Sequence, residues 1–190
     1  EVERRRFQAI IAGESERLTP LVDAMLGGAP AAAGGDGDAG RPREEVADFI
    51  EGHANHFPAL EAEADTLRRA CGAEAGGLEP PEILAGRLTG HLEAVHGVRT
   101  ELKAGDPATA PARVYDPATR HLALAAHLGP SGRALEAAHQ IALLSCDAAL
   151  ALLVEAPILS GAQSRVLARV ALADYFAEAV LIPYGPFLDA

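Results

Sequence analysis

The segment with the most chemical content runs from Ala137 to Leu143 and contains His139. Zinc peptidases place H-E-x-x-H on a helix, because two histidines one turn apart bind the metal and the glutamate deprotonates water. His139 takes the place of the first histidine, but Gln140 stands where the general base would be and Leu143 where the second ligand would be. An amide is no base and an alkyl group is no ligand, so the pattern predicts no zinc hydrolysis.

His139 also lies on the apolar stripe of its predicted helix, which leaves two interpretations open. It is either a buried core histidine with a hydrogen-bond partner or a residue that contacts a ligand directly. The competing metal hypothesis joins His139 to unusual zinc ligands, taken from His91, His96 or His121. His91 and His96 are five residues apart, not the four that place two imidazoles on one metal most easily, so we expect no metal site.

Composition excludes several classes of protein. The 190 residues include 27 acidic and 16 basic side chains, a formal net charge of −11, and such a surface repels nucleic acid phosphates. No run of 18 uncharged apolar residues and no signal peptide are found, so we expect no membrane association. The two cysteines, Cys71 and Cys146, form neither a disulfide framework nor a CxxC site, which predicts a cytoplasmic protein. Cys146 lies on an apolar stripe, so we expect a buried, unreactive thiol.

The elements that would position these residues are mostly helical. A Gly/Ala/Asp/Pro-rich linker is predicted over 28–42, with helix before it and a helical stretch that Pro58 interrupts after it. A helix that starts at Pro81 and ends at His96-Gly97 is followed by three short strands. Further on, we expect one long helix over 133–155 and a last helix that ends before Pro183, with Ser160 and Gln163 as a capping box. The strands are predicted at 98–103, 112–115 and 121–125, with a turn at 116–119. The prediction is therefore an α+β fold, mostly helical, with a small three-stranded antiparallel sheet and two long helices.

The run from Ala173 to Pro183, ADYFAEAVLIP, resembles the A-N-x-F-A-x-x-L-L-M-P signature of ImmA/IrrE-type domains. In the active peptidases of that family, a glutamate just before the signature is the third zinc ligand. The matching positions here are Leu172 or Arg169, and neither side chain ligates zinc. The resemblance therefore implies a degenerate, zincin-like pseudo-peptidase domain over 80–190 with no catalytic residues.

Three further phrases narrow the resemblance to the actinobacterial short-chain fatty acyl-CoA-responsive regulators of the Xre family. They are REEVADF at 43–49, YDPATR at 115–120 and AHQIALL at 138–144. The resemblance implies a helix-turn-helix, a pseudo-peptidase domain and a C-terminal part that holds an iron–sulfur cluster in some members. We therefore expect a fragment whose DNA-binding domain is missing and whose sensor domain is truncated. Its expected parts are a helical segment (1–27), a flexible linker (28–42), a helical connector (43–79) and the sensor domain (80–190).

What the resemblance implies for function is a sensor, in which a degenerate peptidase cleft binds a short-chain acyl-CoA. The expected gene targets serve fatty-acid, propionate or glyoxylate metabolism, DNA is contacted only through the missing domain, and a homodimer is expected. The CoA phosphates need cations, and three tyrosines could pack on the acyl or adenine group. The expected ligand-binding residues are Arg99, Tyr115, Arg120, His139, Gln140, Tyr175 and Tyr184. The alternatives are a zinc peptidase with unusual ligands and a structural dimerisation module.

Overall fold

The computed structural model of the chain describes residues 41–73, 79–107 and 109–183. The segment predicted over 1–27, most of the predicted linker and Tyr184 lie outside these residues. The described part is mostly helical, with one small sheet, which confirms the predicted α+β class. Its elements are α1 (Arg41–Gly52), α2 (Pro58–Ala70), α3 (Pro81–His96), β1 (Arg99–Lys103), β2 (Arg113–Asp116), β3 (His121–Ala125), α4 (Pro130–Ser145), α5 (Asp147–Val154) and α6 (Ala162–Leu181).

The described chain divides into two compact units. Unit 1 consists of Glu1–Phe57 and Leu150–Leu172, and unit 2 of Pro58–Ala149 and Ala173–Ala190. Unit 2 contains the whole sheet together with α2, α3 and α4. The domain boundaries inferred from the sequence stay a prediction.

The sheet of unit 2 is mixed, so the prediction of an antiparallel sheet is wrong in one of its two pairings. The strand order is β1-β3-β2. β2 and β3 form the expected antiparallel hairpin, but β1 lies on the other side of β3 and runs parallel to it. The nine-residue connection over 104–112 allows this, because it is long enough to carry the chain past β3 before β2 begins.

The register decides which side chains share a face of the sheet, because directly paired residues point the same way. Leu122 and Leu124 of β3 are 0% and 1% exposed and belong to the face that the helices cover. Their partners on that face are Thr100 and Leu102 of β1 and Tyr115 and Arg113 of β2. Arg113 forms a 3.2 Å ion pair with Glu136 of α4, which confirms that this face meets the helix layer.

Two helix boundaries in unit 2 lie where the sequence predicts them. Pro58 begins α2 after the turn that ends α1, and α3 ends at His96. Gly97 adopts the left-handed conformation (φ 64°, ψ 24°); its N–H donates to the Glu93 carbonyl and the Val98 N–H donates to the Leu92 carbonyl, both at 3.0 Å. Only glycine takes this conformation without a steric cost, so the helix ends there and the chain turns into β1.

The single long helix predicted over 133–155 is wrong in the structure. It is two helices, α4 and α5, whose axes differ by 80° at Cys146. The apolar spacing continues through the bend, so the sequence pattern resembles one helix. Asp147 begins the second helix, where an acidic side chain interacts favourably with the helix dipole.

In unit 1, one carboxylate links α1 to the beginning of α6. Val46, Phe49 and Ile50 of α1 are buried, as their spacing predicts. On another side of α1, Glu45 accepts hydrogen bonds from the hydroxyls of Ser160 and Ser164, both at 2.6 Å, and from the Ser160 N–H at 3.0 Å. The predicted capping box is therefore wrong, because the Ser160 hydroxyl donates to Glu45 and α6 begins only at Ala162.

Within the described residues, no single helix is both long enough and apolar enough to cross a membrane. The bent pair formed by α4 and α5 passes that test of length and composition only when its two helices are taken together.

Candidate functional site

The central pair of the candidate site lies in unit 2 and joins α4 to α6. His139 is 3% exposed, and its Nδ1 is hydrogen-bonded to Oδ1 of Asp174, whose side chain is 17% exposed. A carboxylate has no hydrogen to donate, so the imidazole is the donor and its proton lies on Nδ1. The contact fixes the orientation and the tautomer of the ring.

The other ring nitrogen of His139 has no partner in the part of the chain that the structure describes. Nε2 is buried and makes no hydrogen bond among the described residues. When the ring is neutral with its proton on Nδ1, Nε2 is an acceptor that is buried away from water. A buried polar atom without a partner costs about 1–3 kcal/mol, so a ligand that brings a donor to Nε2 recovers that energy.

Gln140 follows His139 on α4 and is equally buried, at 3% exposure. The burial of His139 agrees with its predicted place on the apolar stripe of the helix, whereas the burial of Gln140 was not predicted. Sequence reasoning left a core histidine and a ligand-contacting histidine as alternatives. The Nδ1 contact with Asp174 agrees with the core histidine, and Nε2, which has no partner among the described residues, agrees with the ligand-contacting histidine.

Zinc, which the H-E-x-x-H pattern implies, does not fit the residues present. A zinc site needs at least three protein ligands, and His139 is the only one of the expected set. Leu172, one of the third-ligand positions, is a buried apolar residue in α6. The described residues contain no group of three His, Cys, Asp or Glu side chains that could hold a metal ion. The described residues therefore support no metal-dependent reaction step.

The alternative zinc ligands are engaged elsewhere in unit 2. The rings of His91 and His96 are 5.8 Å apart, and burial lowers the pKa of both. His96 Nε2 shares a 3.0 Å hydrogen bond with the Ser145 hydroxyl, and His121 lies 3.5 Å from a carboxylate oxygen of Glu101. The histidines proposed to join His139 thus have other neighbours.

Cys146 is 4% exposed, as its place on the apolar stripe predicts. Burial raises the pKa of its thiol to about 11, so the unreactive protonated form prevails at neutral pH. This agrees with the expected structural role.

Tyr175 lies next to Asp174 on α6, but its hydroxyl has a different neighbour. It donates to Oε1 of Glu61 on α2 at 2.5 Å. The half-buried ring therefore ties α2 to α6 within unit 2.

The predicted sheet residues form a second group. Arg99 begins β1 and Arg120 precedes β3, and the Arg99 N–H donates to the Arg120 carbonyl at 3.0 Å. Both side chains are exposed. Tyr115 is half-buried on the face that the helices cover, whereas Arg99 pairs with His121 on the opposite face. The structure thus joins the two arginines through a backbone hydrogen bond and places Tyr115 on the other side of the sheet from Arg99.

Arg120 owes its position to the turn that joins β2 to β3. Asp116 accepts hydrogen bonds from the Ala118 N–H at 2.9 Å and the Thr119 hydroxyl at 2.7 Å, and these bonds lower the pKa of its carboxyl. The predicted turn with Pro117 at its second position is confirmed. Arg120 closes the turn at φ 49°, a left-handed conformation that few residues other than glycine adopt.

Comparison with known proteins identifies the family. The model of the IrrE N-terminal-like domain, Peptidase_M78, matches residues 93–190, slightly more than half of the chain. The chain belongs to this family. The resemblance to ImmA/IrrE-type domains seen in the sequence is confirmed, and the matched region contains β1 to β3, α4 and α6.

Relatives in this family carry the names of transcription regulators. RamB of Mycobacterium tuberculosis is 35% identical over 82% of this chain, and PrpR of the same organism is 32% identical over 77%. The propionyl-CoA carboxylase regulator of Cereibacter sphaeroides is 28% identical over 78% of the chain. The chain spans 31% of RamB and 29% of each of the other two.

A solved structure supports the same relationship. A Mycobacterium tuberculosis transcriptional regulator superposes with a TM-score of 0.68 at 31% identity, over 77% of this chain and 42% of that one. The likeness therefore concerns both fold and sequence.

Sequence reasoning missed Asp174 and Glu61, which orient His139 and Tyr175. A signal for Asp174 was present, since it is one of only two carboxylates, with Glu178, in the apolar run ALADYFAEAV of α6. A buried charge of that kind needs a partner. Glu61 gave no comparable signal, because it lies in a helix with several exposed acidic residues.

Proposed function

We propose that this chain is the ligand-sensing region of a transcription regulator and that it binds a short-chain acyl-CoA without catalysis. The controlled genes are those of fatty-acid, propionate or glyoxylate metabolism. The carrying observation is the buried His139–Asp174 pair, which lacks the catalytic neighbours and leaves Nε2 unpartnered. The names of the three relatives support the regulatory role, and the name of the Cereibacter relative supports the link to propionyl-CoA.

The chemistry of the ligand matches this nitrogen. The pantetheine arm of CoA has two amide N–H groups and a hydroxyl, and each is a donor that a neutral Nε2 can accept. The buried, mostly apolar neighbours of His139 on α4 suit a short acyl chain. Arg99 and Arg120, which are exposed and joined through their backbones at one end of the sheet, are the cations proposed to contact the phosphates.

The proposal predicts a graded response to the acyl chain. Each buried CH₂ group contributes about 0.8 kcal/mol, which is roughly a fourfold change in affinity. A site that encloses the acyl group should therefore distinguish acetyl-, propionyl- and butyryl-CoA. It should also bind all three more tightly than free CoA.

Calorimetric titration with these four ligands tests the proposal, with the chain in its natural gene product. The variant His139→Leu removes the unpartnered acceptor, and His127→Gln changes an exposed histidine in the loop after β3 as the matched control. We expect saturable binding that weakens at least tenfold in His139→Leu and is unchanged in His127→Gln. A folded protein without binding, or with equal binding in His139→Leu, would contradict the proposal. A ligand-independent dimer in light scattering would then favour the structural dimerisation module.

A further inference from the structure

The outer edge of β1 is open. The Arg99 N–H donates to the Arg120 carbonyl, and the Lys103 carbonyl accepts from the Ala126 N–H, at 3.0 and 2.9 Å. In a parallel pair, the backbone N–H and C=O groups of successive residues point alternately toward and away from the neighbouring strand. These two bonds show that residues 99, 101 and 103 direct their groups toward β3. Thr100 and Leu102 therefore direct their N–H and C=O groups outward, where the sheet of the described residues has no further strand.

A groove runs beside this edge, and we call it the β1 groove. It has a volume of about 500 Å³ and lies between α3, β1 and the first turn of α4. Gly86 and Gly90 form part of its α3 wall, and a Cβ atom added to either would meet no atom within 4 Å. The groove therefore has free space along the helix, beside unpaired backbone groups on the strand.

Two polar atoms at this groove are buried and have no partner. Among the described residues, neither Oγ1 of Thr100 nor Nε of Arg133 makes a hydrogen bond. Both residues line the groove. Because both atoms are buried, an occupant of the groove reaches them only if the two side chains turn toward it; the hydroxyl and the guanidinium N–H can then donate to a carbonyl oxygen, and the hydroxyl can also accept from an N–H. These are the groups that a peptide backbone offers.

The charge of the groove favours a basic occupant. Its lining includes Glu82, Glu93 and Glu101 against the single cation Arg133. A second copy of this chain would bring the same acidic lining, and a net charge of −11, to the contact. An extended segment with lysine or arginine side chains meets opposite charge on the wall and pairs its backbone with β1.

We propose that the β1 groove binds an extended, basic peptide segment, which adds a fourth strand to the sheet beside β1. Main-chain hydrogen bonds to Thr100 and Leu102 give the affinity, and the glutamates of the wall select basic side chains. Leu102, now 51% exposed, would be covered by the added strand. This interaction is separate from the acyl-CoA proposal and does not depend on it.

The test measures fluorescence anisotropy of a labelled nine-residue peptide of alternating Lys and Val, with an alternating Glu and Val peptide as its charge control. Thr100→Pro removes an outward N–H that the β1–β3 ladder does not use, and Thr100→Val removes only the hydroxyl. Gly90→Leu fills the groove. Gly52→Leu is its matched control, because Gly52 lies in α1 and an added Cβ there also meets no atom within 4 Å.

We expect the Lys/Val peptide to bind and the Glu/Val peptide to bind at least tenfold more weakly. Thr100→Pro and Gly90→Leu should each weaken binding at least tenfold, Thr100→Val less than either, and Gly52→Leu not at all. Circular dichroism establishes that each variant is folded, and Gly90→Leu decides the question if Thr100→Pro does not fold. Equal binding by folded Gly90→Leu, no preference for the basic peptide, or no binding at all would overturn the proposal. So would a dimer in light scattering that Gly90→Leu abolishes, because a second copy would then occupy the groove.

Discussion

At the scale of single residues, the His139–Asp174 pair combines a structural contact with an unsatisfied atom. The bond at Nδ1 fixes the ring, and burial keeps water from Nε2. Proteins seldom leave a buried acceptor unpaired, because the folded state then lacks a hydrogen bond that the unfolded state makes with water. The pair is therefore a better indication of a ligand contact than the histidine alone.

Substitution of Asp174 should separate its structural role from its charge. Asp174→Ala leaves the Nδ1 hydrogen of His139 buried without an acceptor, and we expect a loss of about 1–3 kcal/mol in the free energy of unfolding. Asp174→Asn retains an acceptor oxygen, so most of the loss should be recovered. Urea denaturation of both variants measures the difference. Equal stability of Asp174→Ala and wild type would mean that the contact does not form.

Glu45 predicts a pH dependence of stability. Hydrogen bonds from the hydroxyls of Ser160 and then Ser164 lower its pKa from 4.5 to about 2. Between these values the unfolded chain takes up a proton and the folded chain does not, so stability decreases as the pH falls from 4.5 toward 2. Urea denaturation across this range should show a shallower pH dependence for Glu45→Gln than for wild type. An unchanged slope would mean that Glu45 does not have a depressed pKa.

What the sequence could predict at this scale depended on how local the signal was. The burial of His139 and Cys146 followed from helical spacing along one segment. The partners Asp174 and Glu61 are 35 and 114 residues from the side chains that they contact, His139 and Tyr175. No local pattern encodes such contacts, because tertiary packing decides which helices meet.

At the scale of elements, glycine stabilises the C-terminal end of α3 and destabilises its middle. Gly97→Ala should destabilise the chain by about 1 kcal/mol, because residue 97 ends α3 at φ 64° and an added Cβ lies 3.4 Å from the Arg120 guanidinium. In Gly86→Ala, the Cβ added in the middle of α3 meets no atom within 4 Å. This variant should therefore raise the free energy of unfolding by about 0.5–1 kcal/mol. Thermal denaturation compares the two variants, and the same sign for both would contradict the helix boundary.

The elements themselves show which sequence signals are reliable. Pro58 and Gly97 predict helix boundaries correctly, because proline and glycine restrict or free the backbone at their own positions. The bend at Cys146 and the parallel pairing of β1 escaped prediction, because both depend on contacts with distant segments. The capping box failed for a similar reason, since Glu45 competes for the Ser160 hydroxyl from 115 residues away.

At the scale of the whole molecule, charge predicts what this chain does not bind by itself. With 27 acidic and 16 basic residues, it should not retard duplex DNA in a mobility-shift experiment at physiological salt. Under the proposed function, DNA contact belongs to another part of the regulator. A salt-sensitive complex with this chain alone would contradict the prediction and require a local basic surface.

The mixed sheet should also leave a signature in the rates of amide hydrogen exchange. In β1, the amides of Arg99, Glu101 and Lys103 are bonded to β3 and those of Thr100 and Leu102 are not, so slow and fast exchange should alternate along one strand. Exchange measured by NMR would detect this alternation directly. Uniform protection across the five residues would contradict the parallel register. The exchange rates of β1 can thus show whether a further strand is paired with it, because such a strand would slow only the two fast amides, those of Thr100 and Leu102.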